Sequence, residues 1–303
     1  MIRRLFQVVA PVVTTGLLVA ACAAKDDRTQ VTLVFTSETE IPKELDALHI
    51  TVTAANGSTV YDNVYNVRDP GFFATTLAII PADEDSLKGP VTVEVKGLAG
   101  GAVGVQRRAI VSYVKDRTLM LPLPLRMACF AFKDCGVNST CAGGTCQPAT
   151  IDGASLRDFD ESFVFETARD RCFDEDACLV GATPVNVGTD CTFPLPPEGA
   201  SGERPALNVS VRWAAAENRI IVLDHGDAIE GWTVATDKPG YGRLSTGVCK
   251  SLLDPEPDPK KREVPDRALD ARVSTRCPAK LGTQPYCRRL NNRQAGIGAT
   301  IVP

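Results

Sequence analysis

Histidine is nearly missing from this chain: His49 and His225 are the only two in 303 residues. Imidazole is the side chain most used for proton transfer near neutral pH. An acid–base or metal centre here must therefore be built on one of those two residues or on carboxylates alone. Aromatic residues make up only 6% of the chain, with two tryptophans and five tyrosines. This confines any platform for stacking on sugars or bases to a few positions. The sequence contains no G-x-S-x-G, no H-E-x-x-H and no glycine-rich phosphate loop between a strand and a helix. No cofactor is expected. A basic excess is missing too: the formal charge is −4, which argues against nucleic acid as a partner. After residue 21 no apolar run approaches the ~20 residues of a membrane helix. Cysteine is absent from 23–128, although the chain has eleven in all.

The first 21 residues stand apart. Met1-Ile2-Arg3-Arg4 is a short basic head, followed by an apolar run from Leu5 to Ala21 that ends in small residues. This is the pattern of a secretory signal peptide, with cleavage after Ala21 or Ala24 on the ordinary reading. "VAAC", Val19 to Cys22, resembles the lipobox of bacterial lipoproteins. The resemblance implies that the Cys22 thiol receives a diacylglycerol, that the chain is cut just before it, and that the new amine is acylated. Each buried CH2 contributes about 0.8 kcal/mol, so two or three acyl chains anchor stably where one does not. Ala23, rather than Asp, follows the cysteine, and in Gram-negative relatives of that pattern this implies the outer membrane. Arg3-Arg4-Leu5-Phe6 also resembles part of a twin-arginine signal, but its flanks depart from it. Removing 1–21 takes away two arginines and no acids. That leaves 31 basic against 37 acidic residues, a net charge of −6.

With Cys22 lipidated, ten cysteines remain: Cys129, Cys135, Cys141, Cys146, Cys172, Cys178, Cys191, Cys249, Cys277 and Cys287. In an oxidising compartment an even set reads as a disulfide framework. The spacing lacks the C-x2-C knuckles of structural zinc, so no metal is expected. Connectivity stays open, with three patterns available to the first four cysteines and fifteen to the other six.

Cysteine distribution also divides the chain. A signal peptide (1–21) and a lipidated tether (22–30) precede a cysteine-free module (31–126). That module carries seven β-type runs, at 31–36, 48–54, 58–67, 72–80, 91–97, 103–114 and 118–125. Turn signals such as Asn56-Gly57 and Asp69-Pro70-Gly71 separate them. Seven strands in about 95 residues predict an immunoglobulin- or fibronectin-like antiparallel sandwich held by its own core. A cysteine-rich connector (127–150) follows, in which "CGVNSTCAGGTC" resembles part of an EGF-like module. The rest, 151–303, is expected to be a disulfide-linked β-rich (α+β) module. Its clearest strands are at 206–215 and 218–224, with weaker ones at 230–236 and 296–303 and a helix or strand within 155–173. "GLAGGAVG" (97–104) is expected to be a hairpin turn, and 254–266 a solvated loop within the module.

Three residues in the distal module are candidate ligand contacts. His225 ends an apolar run in "VLDHGD", where Asp224 or Asp227 is placed to orient its imidazole, as a hydrolase requires. Trp232 and Tyr241 are candidates for carbohydrate stacking, provided one or the other is exposed. The acidic clusters at 158–161, 174–178 and 254–258 lack the EF-hand pattern and read as surface. Lipobox, sandwich, cysteine-rich connector and distal module together resemble the multi-module surface lipoproteins of Gram-negative bacteria. The expected function is a non-enzymatic interaction or structural protein of the cell envelope. Its partners would be the membrane, through the lipid anchor, and an envelope protein or polysaccharide. A carbohydrate- or wall-binding module and a His225-centred hydrolase are the alternatives.

Overall fold

A computed structural model describes residues 28–39, 41–68, 73–84, 87, 89–130, 135–161, 164, 173–197, 206–213, 219–253 and 268–280. The protein is mainly β, with several antiparallel sheets and four disulfides among these residues. None of their helices is long and apolar enough to cross a membrane.

The first module holds β1 (Gln30–Ser37), β2 (Ala47–Thr53), β3 (Thr59–Asn66), β4 (Thr75–Ile79), β5 (Val91–Ala99), β6 (Ala102–Val111) and β7 (Thr118–Leu125). All seven strands expected from the sequence are present. They form because β-branched residues alternate with polar ones. In β5, Val91, Val93 and Val95 turn inward while Thr92, Glu94 and Lys96 turn out. One sheet has the order β4-β1-β7, and β6-β5-β2-β3 runs through the other. Their inner faces share a core built on Leu33, Phe35, Leu121 and Leu123 from one side and Ile50, Val93, Val95 and Ala109 from the other. This is a sandwich-like packing. It is not wholly antiparallel, since β1 and β7 run parallel from Gln30↔Thr118 to Ser37↔Leu125. Pro122 and Pro124 fit β7 because it has a partner on one side only, leaving an edge where a missing N–H does no harm. The expected turn at 97–104 is the β5–β6 hairpin, with Gly100 and Gly101 at positive φ.

The connector does not stand off as a separate spacer. Its hairpin, β8 (Ser139–Ala142) with β9 (Thr145–Pro148), lies against β6. There Arg108 N donates to Thr140 Oγ1 at 2.8 Å and Arg107 Nη1 to the Cys141 carbonyl at 2.8 Å. The disulfides Cys129–Cys141 and Cys135–Cys146 interleave, and Cys129 and Cys141 join the sandwich core. Next, β10 (Thr150–Ile151) adds to β6 as the fifth strand of the larger sheet. Val164 then packs with Val34 and Met120 on the outer face of the smaller sheet. Residues 150–159 and Val164 thus pack on the first module. The physical reason is that sheet edges and apolar outer faces are covered by whatever chain passes next to them.

The distal module contains α1 (Glu175–Leu179), β11 (Thr183–Val185), β12 (Thr192–Pro194), β13 (Asn208–Trp213), β14 (Arg219–Leu223), β15 (Trp232–Val234), β16 (Tyr241–Leu244), α2 (Thr246–Leu253) and β17 (Ala268–Ser274). Two antiparallel sheets, β11-β17-β13-β14 and β12-β16-β15, enclose a core of Phe193, Val209, Val211, Ile221, Trp232 and Val248. Cys178–Cys277 ties α1 to the chain beyond β17, and Cys191–Cys249 ties the β12 sheet to α2. The runs expected at 206–215, 218–224 and 230–236 correspond to β13, β14 and β15. The runs at 254–266 and 296–303, most of 155–173, Cys172, Cys287 and residues 1–27 lie outside the described residues. Met127, Ala128 and Phe130 of the connector pack into this second core, so connector and distal module share apolar contacts. The approach is close. A Cβ on Gly247, at the start of α2, would fall 1.3 Å from the Gly143 carbonyl oxygen.

Candidate functional site

The strongest concentration of chemistry is a set of buried charges where the first module, connector and distal module meet. It grows out of the parallel pairing of β1 and β7. Those strands end side by side and deliver Glu38 and Arg126 as neighbours. Arg126 Nη1 donates to Glu38 Oε1 at 2.8 Å, and Met127 N donates to Glu38 Oε2 at 3.0 Å. The other end of the Arg126 guanidinium donates to Asp224, which directly follows β14. Lys280 Nζ donates to Asp224 Oδ1 at 2.7 Å. Glu38, Arg126, Asp224 and Lys280 are all buried. A second link lies alongside: Arg107 Nη1 donates to Glu230 Oε1 at 2.8 Å, and Gly143 N donates to the same oxygen at 3.2 Å.

The cluster balances three cations against three carboxylates, which is what makes its burial tolerable. Burial opposes the charge of Asp224, but Arg126 and Lys280 outweigh it and hold its pKa below the ordinary value. For Glu230 burial dominates and raises the pKa, against the pull of Arg107 and Arg126. These two acids therefore respond to pH with opposite signs. Asp224 contributes stability that is present above its ordinary 3.8 and is lost as pH falls through its depressed folded value. Glu230 binds its proton more tightly folded than unfolded, so its contribution grows as pH falls from its folded pKa toward the ordinary 4.5. Urea unfolding between pH 7 and about 4.5 should show the wild type gaining stability relative to Glu230→Gln. The opposite slope would mean that Arg107 keeps Glu230 ionised.

This arrangement decides what "VLDHGD" does. Asp224 is committed to Arg126 and Lys280 and is not placed to orient His225. Asp227 caps its own turn, accepting from Ile229 N and Glu230 N at 2.9 Å each. The His225 ring packs on Trp232 with centroids 4.7 Å apart, and partial burial lowers its pKa. Imidazole and acids are thus neighbours in sequence but not a working relay. The hydrolase reading loses the group that was to activate its base.

Trp232 drops out of the carbohydrate candidates. It is fully buried, edge-on to Phe193, so no sugar can reach it. Its indole N–H finds no hydrogen-bond partner among the described residues. Tyr241 is partly exposed, and Lys238 Nζ sits 4.1 Å from its ring centroid over one face. Trp232 faces inward because β15 turns it toward the β13–β14 sheet, where a large side chain fills the core of an aromatic-poor module. Of the acidic clusters, Asp158 pairs with Arg117 at 2.8 Å and Asp174 caps α1 through Ala177 N at 2.9 Å.

Sequence reasoning missed Arg107, Arg126, Glu38, Glu230 and Lys280. A signal was present for the first of them. Arg107 lies opposite Val95, in phase with the inward-facing Val105 and Ala109 of β6, where an apolar residue belongs. The distal module also carries a groove of about 390 Å3 lined by Val180, Val185, Pro194, Leu195 and Val273. Arg276, also in its lining, is exposed and has no carboxylate partner among the described residues. Comparison with known proteins returns no match: no family model, no curated protein and no solved structure is significantly similar to this chain.

Proposed function

We propose that this chain is a lipid-anchored cell-envelope protein with a non-enzymatic role in surface interaction or envelope structure. It would be held through Cys22 at a membrane, in a Gram-negative cell the outer membrane. One observation carries the reading: Asp224 and Glu230, on either side of His225, serve buried ion pairs that clamp first module, connector and distal module together. A three-part body joined by buried charge, with its connector and its distal module each cross-linked internally, suits a rigid display scaffold. A hydrolase would need those carboxylates facing a substrate. The disulfides support an oxidising compartment outside the cytoplasm, and the lipobox supplies the anchor.

The test is the intact mass of detergent-extracted protein, with and without thiol alkylation after denaturation. A chain beginning at Cys22, carrying acyl mass and no free thiol, is the expected result. A chain beginning elsewhere without acyl mass removes the anchor. Free thiols would reopen metal or catalytic chemistry for the cysteines.

A further inference from the structure

Among the described residues, β3 is the longest sheet-edge strand without proline. Sheet edges expose a row of unpaired backbone groups, and proteins guard them with proline, lysine, short length or a cover. β7 carries Pro122 and Pro124, and β11 is three residues long and contains Pro184. β3 is eight residues long and forms one edge of the five-stranded sheet. Its sequence, TVYDNVYN, has neither proline nor lysine, and Val60 and Val64 are 62% and 50% exposed. A register shift opposite Val52/Thr53 affects only the start of the strand. From Tyr61 to Tyr65 the edge is regular.

We infer that β3 pairs with β3 of a second copy, antiparallel, about a two-fold axis at Asn63. Residues opposite each other must lie on the same face, so a two-fold axis passes through a residue. Centring on Asp62 sets that carboxylate against its own copy. Centring on Asn63 sets Asp62 against Val64 of the second copy, and Tyr61 against Tyr65. Charge favours the second arrangement across the whole outer face. In one copy Asp62, Thr51, Glu94 and Arg108 lie in one cross-strand row, while Val64, His49, Lys96 and Gln106 lie in the next. The Asn63-centred pairing joins the acidic end of the first row, Asp62, to the second copy's row of Val64, His49 and Lys96. On the inner face two aromatic pairs add cross-strand contact. This association goes beyond the anchoring proposal and does not depend on it, since β3 lies in the first module.

The experiment is sedimentation equilibrium of the full chain in density-matched detergent, on wild type, Val64→Asp and Val64→Lys. Thermal unfolding of each would check the fold, which exposed Val64 should leave intact. The wild type is expected to dimerise. Val64→Asp sets two like-charge pairs across the axis and should weaken the dimer by more than about tenfold. Val64→Lys faces Asp62 of the second copy and should hold the dimer at least as tightly as valine does. A wild type that stays monomeric at the highest concentration reached overturns the inference, as does a Val64→Asp dimer of unchanged strength. Val64→Lys dissociating like Val64→Asp would overturn the register, and with it this interface. None of these outcomes alters the mass expected for an acylated Cys22.

Discussion

Arg126→Met should cost on the order of 3–5 kcal/mol of folding stability, the range found when one partner of a buried ion pair is removed. The magnitude comes from what is left behind. Glu38 would keep only the Met127 N–H, and Asp224 only Lys280, in a site from which solvent is excluded. Methionine fills much of the arginine's volume, so the loss is electrostatic and not a cavity. Glu38→Gln in the same chain should recover part of it, because the amide removes the stranded charge and still accepts from Met127. A double-mutant cycle in urea would measure that coupling. Arg126 joins the β1–β7 end to the distal module, so its loss should also separate the unfolding of the two cores. That separation would be read as non-coincident transitions by tyrosine and tryptophan fluorescence. A single coincident transition with a loss below about 1 kcal/mol would place these charges in an environment as wet as a surface pair.

The joint replacement Cys178→Ala with Cys277→Ala is the second large effect, expected at about 4–5 kcal/mol. This bridge spans 99 residues, and closing a loop of that length removes the most chain entropy from the unfolded state. It encloses β11 to β17 and therefore both distal sheets. Cys178 is also buried among Phe173, Leu179 and Val222, so alanine forfeits some packing as well. The short bridge Cys129–Cys141, with a separation of 12, should cost less when removed, about 3 kcal/mol. Denaturant unfolding of the oxidised variants gives the comparison. Equal losses from the two bridges would argue that residual structure in the unfolded distal module, and not loop length, sets the contribution.

The first module was legible because its information is local. Each of β1 to β7 follows an apolar or β-branched run, alternating most cleanly in β2 and β5, and the tight β5–β6 turn has its glycines in place. The distal module was legible only in part. β13 and β14 are strong alternating runs, whereas β17 offers little apolar signal in phase, with Ala271 and Val273 buried and Leu269 outside. β11 and β12 have three residues each, too few for a periodicity to register. The eight-residue α2 is equally short for a helical pattern.

By itself, the sequence determined the cysteine-free β module, the paired-cysteine chemistry and the scarcity of imidazole. Each is a matter of composition or near-neighbour pattern. Only the tertiary structure decided the rest. It interleaved the first four of the ten cysteines after Cys22, turned Trp232 inward, drew residues 150–159 and Val164 back over the first module, and gave Asp224 to Arg126. That last pair is 98 residues apart in sequence. A buried charge is stabilised by whatever opposite charge the fold brings within hydrogen-bonding distance, and no local pattern encodes which one that will be.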